Sequence, residues 1–189
     1  MREPITPLRH VLFWSIALGG AAFDLITKTL VFAVIGEPGT PPHPIWDKIL
    51  EIRTSFNPGA LWGLGKNWPH SSLMFAILSV IAGAAIFYWL FVRGAAADRR
   101  LTAALGLIMA GAIGNCFDRF TLGHVRDFVH FHVDSIGFDF PIFNFADNML
   151  VAGAIILMLL ALLPDSPAEP TEPEPALSES AHSATGAPQ

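Results

Sequence analysis

The sequence predicts an all-α membrane protein, with four transmembrane helices and a small extracytoplasmic loop or β region covering their outer ends. Three observations lead there. The 189 residues are 52% hydrophobic and only 14% charged, with a mean hydropathy of +0.50, which is too apolar for an ordinary soluble domain. Four stretches approach the ~20 apolar residues that a helix needs to cross a ~30 Å hydrocarbon core. Finally, basic residues cluster where cytoplasmic connections would lie.

The first span is expected from about His10 to Ile35. "MREPITPLRHVLFWSIALGG" places basic residues before an apolar run, as a signal peptide does. The run continues past Leu30, however, so it reads as an uncleaved span. The second and third spans, about Ser71 to Val92 and Leu101 to Phe120, flank "RGAAADRR", which carries Arg93, Arg99 and Arg100. By the positive-inside rule this link and the N-terminus, with Arg2 and Arg9, face the cytoplasm. The fourth span, about Phe145 to Leu163, returns the chain to the same side. Residues 1–163 thus form one four-span domain, and 164–189, "PDSPAEPTEPEPALSESAHSATGAPQ", form an acidic, Pro-rich cytoplasmic tail. With no Lys, Arg or aromatic residue, that tail buries too little apolar surface to offset ordering and is expected to be disordered.

The two remaining connections face outward. The first, Gly36 to His70, opens with Gly and Pro punctuation and carries a short amphipathic piece around Trp46 to Ile52. Trp46, Trp62 and Trp68 suit a membrane–water interface. The second runs from Thr121 to about Asn144. A formal charge of -5 resides largely in the tail, and nothing implies nucleic acid. A single cysteine, Cys116, excludes an intrachain disulfide and any cysteine-based zinc cluster. It is expected to be a buried neutral thiol.

Topology gathers the polar residues. A rise of ~1.5 Å per residue puts Asp24 and Lys28 near the outer end of the first span, and Asn115, Asp118 and Arg119 near the outer end of the third. Asp147 opens the fourth, while Asn57, Asp127 and Asn144 lie in or beside the outer loops. Each has an ordinary structural explanation. Asp24 and Lys28, four apart, pair along one helix face; Asp118 beside Arg119 is a charge-compensated helix end; Asn57 and Gly59 in "SFNPGALWG" make a turn. His130 and His132 alternate on one side of a short strand. A metal reading would need a third convergent ligand, so exposed loop histidines are expected and no metal or cofactor is assigned.

Asp127 and Asp147 stand apart, because each is set among apolar residues in "VRDFV" and "FNFADNML". A carboxylate at the edge of hydrocarbon is costly and usually functional. If the loop between them folds back, the two face each other and share one proton, since adjacent like charges cannot both ionise. Such a pair activates water against a peptide carbonyl without a nucleophilic side chain. An ion-coupled carrier also places carboxylates in membranes, so a small proton- or cation-coupled transporter, and a non-enzymatic scaffold, stay open at this point.

Four blocks together resemble the lipoprotein signal peptidases, the type II signal peptidases of bacteria. They are "DLITK" at 24–28, "FNPGALWG" at 56–63, "AGAIGNCFDRFTLGHVRDF" at 110–128 and "FPIFNFADN" at 140–148. The resemblance spans nearly all of the chain to Leu163. It implies an aspartyl endopeptidase of the bacterial inner membrane with its active site near the periplasmic face. Its substrates would be diacylglyceryl-modified prolipoproteins, cut just before the lipidated cysteine, with membrane lipid as the other contact and no obligate protein partner. It further implies catalytic roles for Asp127 and Asp147, substrate binding by Asn57, Gly59, Asn115, Arg119 and Asn144, and supporting roles for Asp24, Lys28 and Asp118. Phe56, Trp62, Phe128 and Phe145 are candidates for an apolar lining. Trp62 replaces a common Phe, and Arg126 stands where an aliphatic residue is usual. As a cation beside Asp127, Arg126 would favour the charged carboxylate unless it snorkels to lipid phosphate. The Pro-rich stretch Glu37 to Pro44 and the tail carry no family motif.

Overall fold

The computed structural model describes residues 6–60 and 64–162. Arg2, Trp62, Leu163 and the tail therefore lie outside the described residues. Within them, four helices are long and apolar enough to cross a membrane: α1 (Pro7–Ile35), α2 (Ser71–Phe87, prolonged by one wider π turn over Tyr88–Val92), α3 (Arg99–Leu122) and α4 (Phe145–Leu162). Their limits follow local chemistry. Pro7 occupies the first turn of α1, where its missing N–H costs nothing. Asp98 caps α3 by accepting the N–H groups of Arg100 and Leu101 at 2.7 and 3.3 Å. Gly123, at φ +79°, ends α3 by donating to the Arg119 carbonyl. These devices carry α3 two residues beyond each of its expected limits, and α1 starts three residues earlier than expected.

The connections between helices are more ordered than loops. Strands β1 (His43–Trp46), β2 (Leu50–Asn57), β3 (Val125–Val133) and the two-residue β4 (Phe138–Asp139) form one antiparallel sheet in the order β1-β2-β3-β4. The amphipathic piece expected at Trp46 to Ile52 is thus a tight hairpin. "LEIRTSFN" alternates apolar or β-branched side chains with polar ones, which suits a pleated surface. Two strands come from the α1–α2 connection and two from the α3–α4 connection, so the sheet joins the same end of all four helices. It is tied there by Arg126 of β3, which donates to Thr29 of α1 and pairs with Asp118 of α3. After β4 the chain returns along β3. Phe143 accepts from the N–H groups of Phe128 and Val129 and donates to the Val129 carbonyl, all at 2.8–3.0 Å, and thereby delivers the next residue to the start of α4.

In the bundle, α3 is the central helix. Of its most apolar stretch 61% is buried, against 11–17% for the other three, which turn large side chains such as Leu18, Ile81 and Leu159 outward. That inverted exposure is what lipid as solvent permits. Without a hydrophobic driving force between helices in lipid, close backbone approach does the packing, and glycines supply it. A Cβ on Gly153 of α4 would lie 2.7 Å from the Ala104 carbonyl oxygen of α3, and one on Gly114 of α3 would lie 2.5 Å from Oδ2 of Asp24. Farther from the sheet, Phe13, Ala17, Leu90, Ala96, Leu105 and Met109 form a continuous apolar core.

Gly114→Ala is expected to lower stability by about 1–3 kcal/mol, the usual cost of overpacking, and Gly153→Ala by a similar amount. Gly19→Ala, with nothing within 4 Å of its Cβ, is expected to be neutral or slightly stabilising. Thermal midpoints in a single detergent compare all three.

Candidate active site

The polar cluster is built outward from one ammonium group. Lys28 Nζ is completely buried, and so are its two carboxylate partners, Asp24 at 2.7 Å and Asp118 at 3.4 Å. A third partner is Asn115, whose Oδ1 accepts from Nζ at 2.8 Å. The expected Asp24–Lys28 pair is therefore present, and it does more than neutralise itself. The other oxygen of Asp24 accepts the Ala146 N–H at 2.8 Å, docking the first turn of α4 onto α1.

Asp118 is not compensated by its neighbour Arg119, as expected from the sequence. It accepts from the Arg126 guanidinium at 2.8–3.3 Å and from the Arg126 backbone N–H at 3.1 Å. Arg126 accordingly neither supports a charge on Asp127 nor reaches for lipid phosphate: strand alternation points the two side chains to opposite faces. Arg119 turns the other way. Its Nη2 donates to the Gly59 carbonyl at 2.8 Å, the guanidinium lies 5.7 Å from the centre of the Phe75 ring, and its buried Nε has no partner among the described residues.

The second layer consists of amides. Asn115 passes the Lys28 contact on, since its Nδ2 donates to Asp147 Oδ1 at 2.8 Å. Asn144 occupies the N-cap of α4, where its Oδ1 accepts the Asp147 N–H at 3.0 Å and its own N–H donates to Asp147 Oδ2 at 3.2 Å. This is a reciprocal capping box, with Asp in the place of the usual Glu or Gln. The Asn144 side-chain amide donates onward to Asp127 Oδ1 at 2.6 Å. On the far side Asn57, at the end of β2, donates to Asp127 Oδ2 at 3.1 Å while its Oδ1 accepts the Gly59 N–H at 3.0 Å. The turn expected at Asn57 and Gly59 is real, and the same side chain also reaches the site. A bulge in β2 between Ile52 and Ser55 brings Ser55 opposite Asp127. Bulges commonly re-aim side chains beside functional sites.

The ten polar-site positions named from the sequence, from Asp24 to Asp147, form this one connected cluster. Asp127 and Asp147 line one cavity of about 40 Å³, with Asn57, Asn115 and Arg119 in its wall and Pro141 and Phe143 closing it. A water needs ~10–15 Å³ of such space, so solvent fits between the two acids. Burial, followed by the nearby Asp147 carboxylate, raises Asp127 from 3.8 to about 7, although the Asn57 and Asn144 amides oppose the rise. Beside this cavity a larger groove of about 370 Å³ runs between α2, α3 and α4, lined by Phe75, Leu78, Ile108, Leu150 and Val151 and reaching Arg119 and Asp147.

Several expectations need correction. Phe128 and Phe145 do not line the groove; they pack on each other, and Phe145 packs on Phe23, whereas Phe56, set between Phe32 and His124, lines a separate cleft together with Asp127. Cys116 is half-buried, with its Sγ 3.5 Å from the Ala76 carbonyl. His130 is buried rather than exposed, in contact with Glu51 and Asp139. The sequence reading missed the groove residues of α2, which carry no polar signal. It also missed the capping box, although "NFAD" carries the Asn-x-x-Asp spacing.

The chain is similar to known proteins in both sequence and fold. Residues 16–163 match the family model described as signal peptidase (SPase) II. The chain is 39% identical over 163 residues to a lipoprotein signal peptidase of Rhodopirellula baltica, covering 80% of this chain and 71% of the relative. Two solved structures, each described as a bacterial membrane enzyme, are 31% identical to it. They superpose with TM-scores of 0.70 and 0.68, covering 86% and 87% of this chain and 92% and 98% of theirs.

Replacing Lys28 by Met is expected to cost about 3–5 kcal/mol, because it leaves Asp24 and Asp118 buried without their shared cation. Asn144→Ala, an exposed-cap loss of ~1 kcal/mol in ordinary helices, is expected to cost more here because Asp127 loses its partner too. Thermal unfolding in detergent, followed by tryptophan fluorescence, ranks the two.

Proposed function

The chain belongs to the signal peptidase II family, a multi-pass membrane peptidase that processes lipoproteins, and from that premise we propose that it is an aspartyl endopeptidase using Asp127 and Asp147 as its dyad. The observation that carries this reading is that two carboxylates from different segments, 20 residues apart, line one water-sized cavity and are bridged by a single amide, Asn144. The pair retains one proton up to about pH 7. The ionised member takes a proton from water in the cavity, the oxygen attacks the peptide carbonyl, and the protonated member donates to the carbonyl oxygen. Collapse of the tetrahedral intermediate breaks the C–N bond, and a dyad proton goes to the leaving amine.

The substrate is a prolipoprotein, cleaved just before its diacylglyceryl-modified cysteine. Support comes from the groove between α2, α3 and α4, whose Phe, Leu, Ile and Val walls suit an acyl chain or an apolar signal helix, and which opens beside Asp147. Arg119 Nε, buried without a partner among the described residues, and the Asn57 and Asn115 amides offer donors to an extended peptide backbone. The Arg93, Arg99 and Arg100 cluster lies at the bundle end away from the sheet. The positive-inside rule therefore assigns that end, with both termini, to the cytoplasm and the acids to the periplasmic rim of the inner membrane. A conducting relay of carboxylates would have to continue through the other half of the bundle, which the Phe13–Met109 core fills with apolar side chains; this weighs against a transporter.

Asp127→Asn and Asp147→Asn are each expected to insert and fold but to lose cleavage of a lipidated prolipoprotein by at least ~10²-fold. Retained turnover in either variant removes that residue from the chemistry. The pH profile has a definite sign as well. Between 3.8, the value in an unfolded chain, and about 7 the folded protein holds a proton on Asp127 that the unfolded chain releases. This group therefore favours folding most fully below 3.8, and its contribution is lost as pH rises through about 7. Because that same proton is the acid of the mechanism, kcat/KM is expected to fall on the alkaline side from about pH 7. A profile flat to pH 9 would contradict the shared-proton dyad.

A further inference from the structure

The sheet holds a second cluster of chemistry-bearing side chains, three residues along β3 from Asp127 and not used by the peptidase reading. Glu51 of β2 stands directly opposite His130 of β3, and His132 follows on the same face two residues later. The two imidazoles stack with ring centres 4.9 Å apart. His130 Nδ1 lies 2.8 Å from Glu51 Oε1, and His132 Nε2 lies 3.8 Å from Glu51 Oε2. One nitrogen from each ring and one carboxylate oxygen lie within 4.8 Å of one another. Glu51 is thus the third convergent group that the alternating histidines lacked in the sequence.

The outward nitrogens carry the stronger signal. His130 Nε2 lies 2.6 Å from Asp139 of β4, and His132 Nδ1 lies 2.8 Å from Asp134 in the turn after β3. Each ring is therefore held at its outer nitrogen by a carboxylate while its inner nitrogen faces Glu51. This is the carboxylate–histidine–metal arrangement, in which the outer partner fixes the tautomer and leaves the inner lone pair for a cation. The charge balance points the same way. Three carboxylates surround two imidazoles, and Arg53, which lines the same cleft as His130 and Asp139, forms no ion pair with them among the described residues.

We propose that Glu51, His130 and His132 form a binding site for one divalent transition-metal ion of the zinc class. Two imidazoles and a carboxylate are a borderline-soft donor set that suits zinc, and Ca²⁺ or Mg²⁺ would be a poor match. A four-coordinate ion with bonds of about 2.0–2.1 Å holds adjacent ligand atoms about 3.4 Å apart. The three side chains reach that spacing by small rotations, with water completing the fourth position. The ion takes the place of the direct Glu51–His130 contact, clasps β2 to β3 directly, and engages β4 through Asp139. Its role is to stiffen the sheet; the dyad does not touch it.

The test uses the full chain, purified in detergent with any polyhistidine tag removed, stripped of metal and then dialysed against Zn²⁺ or Co²⁺. One equivalent of Zn²⁺ is expected to be retained and to raise the thermal midpoint, and Co²⁺ is expected to give the intense visible absorption of a four-coordinate site. Glu51→Gln and His132→Ala are expected to lose retention of the ion and the midpoint rise, while their metal-free midpoints and far-ultraviolet spectra stay near those of the parent. Asp134→Asn, which removes only an outer partner, is expected to weaken Zn²⁺ binding by about 10–100-fold. His43→Ala is expected to change nothing. Failure of the parent chain to retain Zn²⁺, or retention by Glu51→Gln and His132→Ala equal to that of the parent, overturns the proposal. Neither outcome depends on peptidase activity.

Discussion

The constraint on which the rest of this structure depends is the cost of burying Lys28. An ammonium group at complete burial is tolerated only when its partners are fixed and near, and here three partners are drawn from two helices: Asp24 from its own helix, and Asp118 and Asn115 from α3. Satisfying one cation therefore sets the register between α1 and α3. Asp24 then captures the first turn of α4 through Ala146. The glycine at position 114 follows from the same requirement, because a methyl group there would occupy the space of the Asp24 carboxylate.

From that centre, order spreads to the acids through amides rather than through further charges. Asn115 accepts from Lys28 and donates to Asp147; Asn144 accepts from the Asp147 backbone and donates to Asp127. Neutral donors hold each carboxylate in position without the strong stabilisation of its charge that a guanidinium would bring. This explains why the one arginine adjacent in sequence to Asp127 is engaged elsewhere, with Asp118. It also explains how Asp127 can be held by two amides and still sit near 7, since desolvation and the second carboxylate outweigh them.

The four helices were readable because a membrane span is a long, uniform signal, and their ends shifted by only two or three residues where Pro7, Asp98 and Gly123 supplied capping chemistry. The polar residues were readable for a related reason: in so apolar a chain each charge near a helix end is conspicuous, and topology alone gathers them at one rim. What could not be read was partner choice. Asp118 and Arg119 are adjacent, yet on a helix neighbours diverge by about 100°, and each finds its partner in another segment. The hairpin at Trp46 to Ile52 was obscured because β1 begins with Pro-flanked residues and stays exposed along its length. Glu51 was invisible as a companion of His130, because their pairing depends on a register that only the folded sheet defines. The groove walls of α2 had no distinguishing chemistry, since an apolar side chain facing lipid and one facing a cleft are spelled alike.

One further consequence follows from the way α4 begins. Its first turn is secured by Asn144 and Asp147, so the carboxylate that keeps the backbone from fraying is also a member of the candidate dyad. Helix ends ordinarily open and close at little cost, and here each opening would swing an acid out of register. Loss of turnover on warming should therefore set in as a local event at this one terminus, with the lipid-embedded body of the bundle still intact.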